Sequence, residues 1–520
     1  MSEQSSPHPY GVRVLVLCAV VLGGLSLGGA FCAHQPPEKK KPDLRTLPSP
    51  GLTLPDEPPD ASVVDESDGA DGADDAAAQL EWAPNPVQSL EDPTGRALEP
   101  WFAKLRRIEA GEQGVKARVL HYGDSHIAAD IWSGHLRRLL QERFGDGGHG
   151  FMLPGKPWRS YRHQDVDNGT SDRRHWHTER ARGRQGGVKD GLYGLGGVTV
   201  WSEKPGASVW VSTEADDEAD IGTQVSLFEV YYLNQPQGGT FQLQIDGQWT
   251  QTVKTKAKLK RPGYVRLEVP EGPHRLGLTV PGRASVRLFG VVLERTEASG
   301  VVYDSVGING ARASTSRSWD AVLWKAHLKQ RAPDLIVTTY GTNEAASNIS
   351  DDRQRRNFRR LLRTVREALP DVACLVLAPP DYARKVAQPS PEARKRAMAS
   401  GALGKAEREQ EETVFWDTPQ VVPSLVAVER EVAMEMGCAF WDTFSAMGGA
   451  GSIDRWAREE PPRGGPDRVH LTVEGYRWVA QQGFEALMEA YLTSASPRSS
   501  LDSRSDHGPD SIAPERLVEP

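Results

Sequence analysis

The stretch Ala117-Arg118-Val119-Leu120-His121-Tyr122-Gly123-Asp124-Ser125 alternates in polarity and then turns at Gly-Asp-Ser. Alternation predicts a strand. The run that follows, Ala128 to Phe144, carries Ile131, Leu136, Leu139, Leu140 and Phe144 at helical spacing. Ser125 therefore falls at a strand-to-helix turn. At the carboxyl end of a parallel strand that turn exposes a side chain and lets backbone N–H groups of a helix start face an anion. Alone, Gly-Asp-Ser also reads as an N-cap opening a helix.

Three further motifs follow in order. Asp334-Leu335-Ile336-Val337-Thr338-Thr339-Tyr340 reads as a buried strand, and Gly341-Thr342-Asn343-Glu344 comes at its carboxyl end, beside Ser125 if the two strands are parallel. Gly307-Ile308-Asn309-Gly310 supplies a glycine turn, and Asp467-Arg468-Val469-His470 places a carboxylate and an imidazole three residues apart. A helix from about Thr472, with Tyr476, Val479, Phe484, Leu487 and Tyr491 on one face, fixes that last segment. Taken one by one, Asn343 reads as an Asx-turn and His470 as a solvated loop histidine. Together the motifs supply ester-hydrolysis chemistry: Ser125 as nucleophile, His470 as general base, and Asp467 orienting the imidazole. Ser125 N–H, Gly310 N–H and the Asn343 side-chain amide would form the oxyanion hole.

This order of blocks resembles the SGNH, or GDSL-type, hydrolase superfamily, which implies an α/β fold: a flavodoxin-like three-layer α/β/α sandwich. Gly-Asp-Ser-His-Ile-Ala at 123–128 and Tyr-Asp-Ser-Val-Gly-Ile-Asn-Gly-Ala at 303–311 are most similar to bacterial peptidoglycan O-acetylesterases. Those enzymes carry a β-sandwich, jelly-roll or carbohydrate-binding-module-like, between the first two blocks. The resemblance implies removal of acetyl from the 6-hydroxyl of muramic acid, with the nucleophile at Ser125, the dyad at Asp467 and His470, and the oxyanion donors at Gly310 and Asn343. Gly310 is preferred to Gly307 because the glycine after Ile-Xaa is the usual donor position. No cofactor and no metal are expected. The same site would transfer acetyl if a sugar hydroxyl replaced water. A non-catalytic polysaccharide-binding envelope protein would keep the sandwich without needing the four blocks.

Between Ser125 and Gly310 the chain is far longer than one crossover requires, and from Val198 it breaks into short alternating runs: 198–201, 208–211, 228–232, 240–245, 265–269, 274–280 and 286–293. Turn signals such as Asp246-Gly247 and Pro281-Gly282 separate them, so an inserted β-sandwich is expected over 156–298. The hydrolase domain would then occupy 96–155 and 299–493. Trp201, Trp210, Tyr231, Tyr232 and Trp249 are candidate sugar platforms, although an aromatic in a sandwich is more often core. Residues 156–197 read as irregular, and His163, His175 and His177 lack the spacing and partners of a metal site. Gly448-Gly449-Ala450-Gly451 and Pro461-Pro462-Arg463-Gly464-Gly465-Pro466 are expected as mobile walls of the cleft.

The 520 residues carry a net charge of −8, which argues against nucleic-acid binding. The Arg-rich run 353–360 reads as the solvated face of an amphipathic helix. Val14 to Ala33 is an uncharged apolar run of membrane-spanning length, so 1–33 is a signal peptide or membrane anchor. Cleavage after Ala30 and retention both fit. Cys32 follows the bulky Phe31, which disfavours lipidation. Residues 34–95 and 494–520 are polar and expected to be a disordered linker and tail. The expected setting is the bacterial envelope, periplasmic or otherwise extracytoplasmic, with an acetylated polysaccharide as substrate. Cys374 and Cys438 begin neighbouring strands; parallel strands suit disulfides poorly, so buried free thiols are expected.

Overall fold

The computed structural model describes residues 88–181, 188–214, 219, 221–389 and 412–495. The signal or anchor segment, most of the linker and all but the first residues of the tail lie outside these. Among the described residues, no helix is long and apolar enough to cross a membrane.

Five strands form a parallel sheet in the order Gly300–Gly307, Lys116–Gly123, Leu335–Thr339, Ala373–Leu377, Ala439–Trp441. Numbered along the chain this is 2-1-3-4-5, the flavodoxin-like order, with a switch point where the first strand is flanked by the second and third. The strands are buried on both faces, as a parallel sheet covered by helices requires. The helix expected from Ala128 is broken. A short turn, Ser125–Ala128, and a longer helix, Trp132–Phe144, are separated at Asp130, which takes a left-handed φ of 53°. Its carboxylate is thereby turned inward to Arg137 at 3.0 Å, to Ser133 and to Gln164 N–H.

Two corrections concern the edges of this domain. Residues 88–95, expected in the linker, pack against the last strand: Glu91 and Phe440 exchange both backbone hydrogen bonds at 2.9 Å, and Trp441 donates its indole N–H to Gln88. Cys374 and Cys438 are joined in a disulfide. The first backbone pair between their strands is Leu375↔Ala439, so Cys438 sits just outside the ladder, where the chain leaves Gly437 in a left-handed turn. The pleat that opposes pairing across parallel strands does not yet hold it.

The Arg-rich helix, Asp351–Ala368, is not merely solvated. Arg355 pairs with Glu431, and Arg359 with Glu435, on the neighbouring helix Val421–Glu435.

The insert is a sandwich of two antiparallel sheets. The near sheet runs Arg261–Gly272, Val225–Asn234, Val286–Glu294, Val198–Ser202, His177–Arg180, with Gly150–Met152 also paired to Val286–Glu294. The far sheet runs Val166–Thr170, Ala207–Thr213, Arg275–Val280, Thr240–Ile245, Gln248–Lys254. The segment read as irregular thus supplies an edge strand to each sheet. Both are short and polar, so they lack the alternation that marks the others. Tyr231 and Tyr232 are core residues, and Trp201 stacks on His177.

The near sheet joins the hydrolase through helix Ala321–Arg331. His327 is buried among Tyr231, Tyr264 and Phe289, ring centroids 5.3, 5.8 and 5.1 Å away, and burial holds it neutral with a pKa of about 3. Arg331 bonds Asp304 of the parallel sheet at 2.6 Å and Glu294 of the insert at 2.5 Å, and Glu294 also accepts Arg118. Removing the guanidinium strands the buried Asp304 carboxylate and leaves Glu294 with Arg118 alone. Arg331→Leu is expected to destabilise the protein by about 3–5 kcal/mol, measured as a lower midpoint of urea unfolding.

Candidate active site

Ser125 opens its helical turn immediately after the first strand, so its N–H has no partner within the turn. Asp124 is the cap: its carboxylate accepts His126 N–H at 3.0 Å. Ser125 Oγ lies 3.0 Å from His470 Nε2, and His470 Nδ1 lies 2.7 Å from Asp467 Oδ2. The structure thus brings the serine to an imidazole and carboxylate pair that lies 345 residues further along the chain.

The Asp467–His470 turn supports itself. Asp467 Oδ1 accepts the N–H groups of Val469 and His470, each at 2.9 Å, while Oδ2 takes the imidazole. Burial pushes the Asp467 carboxyl up, but His470 and these N–H donors outweigh it and hold it at about 2. It is therefore ionised wherever the imidazole can act as a base. Gly465, expected in a mobile wall, is instead a close support. Its N–H bonds His470 O at 2.7 Å, and a Cβ there would meet that oxygen at 2.6 Å.

The two glycines of the second block play different parts. A Cβ on Gly307 would meet Ala128 N at 2.3 Å, so Gly307 lets the strand pack against the nucleophile turn. Gly310 has φ +76°, is exposed, and would carry a Cβ with nothing within 4 Å. Gly310 thus opens to solvent, whereas Gly307 is a packing position.

Asn343 lies in the short helix Thr342–Ala346 beside this turn and is buried. Its Nδ2 donates to Asp124 Oδ2 at 3.2 Å and to Ala311 O at 3.0 Å. Both amide hydrogens are thus directed to protein acceptors, and donation to an oxyanion requires one of them to be shared or released. The sequence offers no signal for this link to Asp124. Burial raises the Asp124 carboxyl to about 6 and Glu344 to about 7, and Glu429 is raised well above a free carboxylate, again chiefly by burial and then by the charge of Glu344.

His126, expected at a helix surface or against substrate, is at neither. It is buried, its Nδ1 2.9 Å from the Tyr476 hydroxyl and its ring 5.4 Å from that of His470. Burial, then the nearby His470, lowers it to about 3, so it packs behind the base as a neutral ring.

His163 does not join His175 and His177. Among the described residues, Asp130, His149 and His163 bring three possible ligand atoms within 4.8 Å of one another. That set is already closed: His149 Nε2 bonds His163 Nδ1 at 3.0 Å, and the Arg137 cation sits on Asp130. A second cation would face that guanidinium in a buried site, so the residues fit a hydrogen-bond network better than a metal.

Residues 276–478 match the GDSL-like Lipase/Acylhydrolase family. The match includes Gly310, Asn343, Asp467 and His470 and leaves out Ser125, which lies ahead of the insert. A solved structure of a peptidoglycan O-acetylesterase is similar over 78% of this chain and 99% of its own, with 24% identity and a TM-score of 0.59. A salicylyl-acyltransferase from a tetracycline biosynthetic pathway (12% identity, 63% of this chain and 98% of its own) and an acetyl xylan esterase (14%, 36% and 81%) reach TM-scores of only 0.25 and 0.24, too low to define a shared fold. No curated protein matches.

Asp467→Asn should lower kcat by about 10³–10⁴-fold with little change in KM, because the amide no longer stabilises the imidazolium; steady-state kinetics on a small acetyl ester checks this. The raised carboxyls set a second expectation. A carboxyl whose pKa is raised on folding stabilises below its unfolded value, and the contribution is lost as pH rises through the folded value, here about 7 for Glu344. Glu429→Gln, which removes one of these charges, should flatten the fall in thermal midpoint between pH 5 and pH 8.

Proposed function

We infer that this chain, which carries a GDSL-like acylhydrolase domain on the SGNH hydrolase fold, is a serine esterase that removes O-acetyl groups from peptidoglycan, at the 6-hydroxyl of muramic acid. The observation that carries the chemistry is the relay from Ser125 Oγ through His470 to Asp467, with hydrogen bonds of 3.0 and 2.7 Å. The likeness in fold to the peptidoglycan O-acetylesterase supports the choice of substrate, since it extends through both the hydrolase and the insert.

In this reading His470 Nε2 takes the Ser125 proton as Oγ attacks the acetyl carbonyl. The tetrahedral oxyanion is met by Ser125 N–H and Gly310 N–H, and by Asn343 once its amide turns from Ala311 O. His470 returns the proton to the departing sugar oxygen, leaving acetyl-Ser125. Water, deprotonated by the same imidazole, attacks the acyl carbon; the acyl–oxygen bond breaks, Ser125 regains its proton, and acetate leaves. About a third of the His470 side chain and two fifths of that of Asp467 are exposed, so water has access to the base.

The Cys374–Cys438 disulfide supports an oxidising, extracytoplasmic setting. The apolar segment at 14–33 would deliver the chain there and, if retained, hold it to the membrane.

Incubated with O-acetylated peptidoglycan, the full-length protein should release acetate, and Ser125→Ala should reduce that release by at least about 10³-fold while folding normally. Serine-dependent release from acetylated xylan instead would move the substrate assignment to another polysaccharide.

A further inference from the structure

The far sheet of the insert places two tryptophans in one row across its strands. Backbone pairing runs Gly169↔Trp210, Trp210↔Gly277, Gly277↔Gln244, Gln244↔Trp249, so these five residues share one face of the sheet. Residues beside them on their own strands, Val209, Val211, Leu243, Leu276 and Leu278, are buried, so the row faces away from the sandwich core. Trp249 is 62% exposed.

Its orientation comes from a local irregularity. Val253 is buried, and simple alternation back along the strand would place residues 251 and 249 on that inner side. The register shifts between Leu243 and Gln244, pairing Trp249 with the outward Gln244. A bulge of this kind re-aims a side chain; here it turns an indole outward on an edge strand, where a large apolar group has no packing role.

The remainder of the row is shaped around the rings. A Cβ on Gly169 would meet the Trp210 ring at 2.5 Å, so this indole lies down on the strand beside it, and the Arg275 guanidinium stacks over it at 3.9 Å. Gly277, between Trp210 and Gln244, leaves the floor open, with 3.7 Å from a Cβ to the nearest atom. An interior strand glycine weakens its strand and recurs where a ligand or another backbone approaches closely. The next row on one side is Ser208, Thr279 and Gln242, all hydrogen-bonding side chains. On the other side Asp167 and Arg275 offer both signs of charge.

We propose that this face binds the glycan strand of peptidoglycan, a chain of amino sugars lying across the β-strands. Trp249 takes the C–H face of one sugar, Gln244 and the Ser208 row take hydroxyl and acetamido groups, and Arg275 on Trp210 takes a hydroxyl or a stem carboxylate. The two tryptophans lie three strand spacings apart, roughly 14 Å, long enough for several sugars. Mixed charge leaves no basic stripe for nucleic acid, and polar rows on both sides leave no continuous apolar patch for a protein partner. The choice of glycan rests on the function proposed above; the surface itself does not.

The test is co-sedimentation of the full-length protein with insoluble peptidoglycan sacculi stripped of their acetyl groups, so that the esterase site has no acyl ligand. Trp249→Ala, and separately Gly277→Val, which fills the open floor without removing a contact, should each weaken binding by about tenfold. Hydrolysis of 4-nitrophenyl acetate should be unchanged in both, which excludes misfolding. Sedimentation of both variants at wild-type affinity, or failure of the wild type to sediment, overturns the proposal. Tryptophan-dependent sedimentation by a protein that releases no acetate from peptidoglycan would uphold the surface and overturn the substrate reading instead.

Discussion

The site depends on eight parallel backbone pairings, Lys116↔Gly300 through Gly123↔Gly307. An entire domain lies between these two strands in the chain, yet they must meet in one register with no slip. The pairing sets Gly307 against the backbone of Ala128 and so fixes the height of the nucleophile turn relative to the Gly310 loop. A shift by one residue would reverse every side chain of the strand and carry Asp304 off the Arg331 guanidinium. Closing so long an excursion costs loop entropy. The insert offsets this by packing into a core continuous with one face of the parallel sheet and by supplying Glu294 to the same arginine that Asp304 uses.

Much of this was legible because catalytic groups in such folds sit at strand ends, where sequence signals are sharpest: an apolar run, then Gly-Asp-Ser or Gly-Thr-Asn. The Asp467–His470 spacing was legible for the same local reason, since one turn holds both side chains. What escaped was decided by partners distant in the chain. The strands at 166–170 and 177–180 are polar and owe their existence to the edges they pair with. The disulfide turned on where a ladder begins, a matter of a single residue. His126 reads as exposed beside a nucleophile and is buried because Tyr476, from the last helix, closes over it. The hydrogen bond from Asn343 to Asp124 joins two motifs, each of which made sense alone.

The buried carboxyls behind the site carry a further lesson. Burial raises Asp124, Glu344 and Glu429, the charge of Asp124 adds to the rise at Glu344, and the charges of Glu344 and Asp124 add to that at Glu429, while Asp467, a short way off, is held low by donors. Environment, not residue type, separates the carboxylate that must stay charged from those that favour their neutral form.

His327 and its cage of Tyr231, Tyr264 and Phe289 give the molecule a stiff neck. A joint made of interlocked rings, with a buried ion network beside it, has no hinge and little room to slide. The insert is therefore carried in a set position relative to Ser125 by packing, not by a tether.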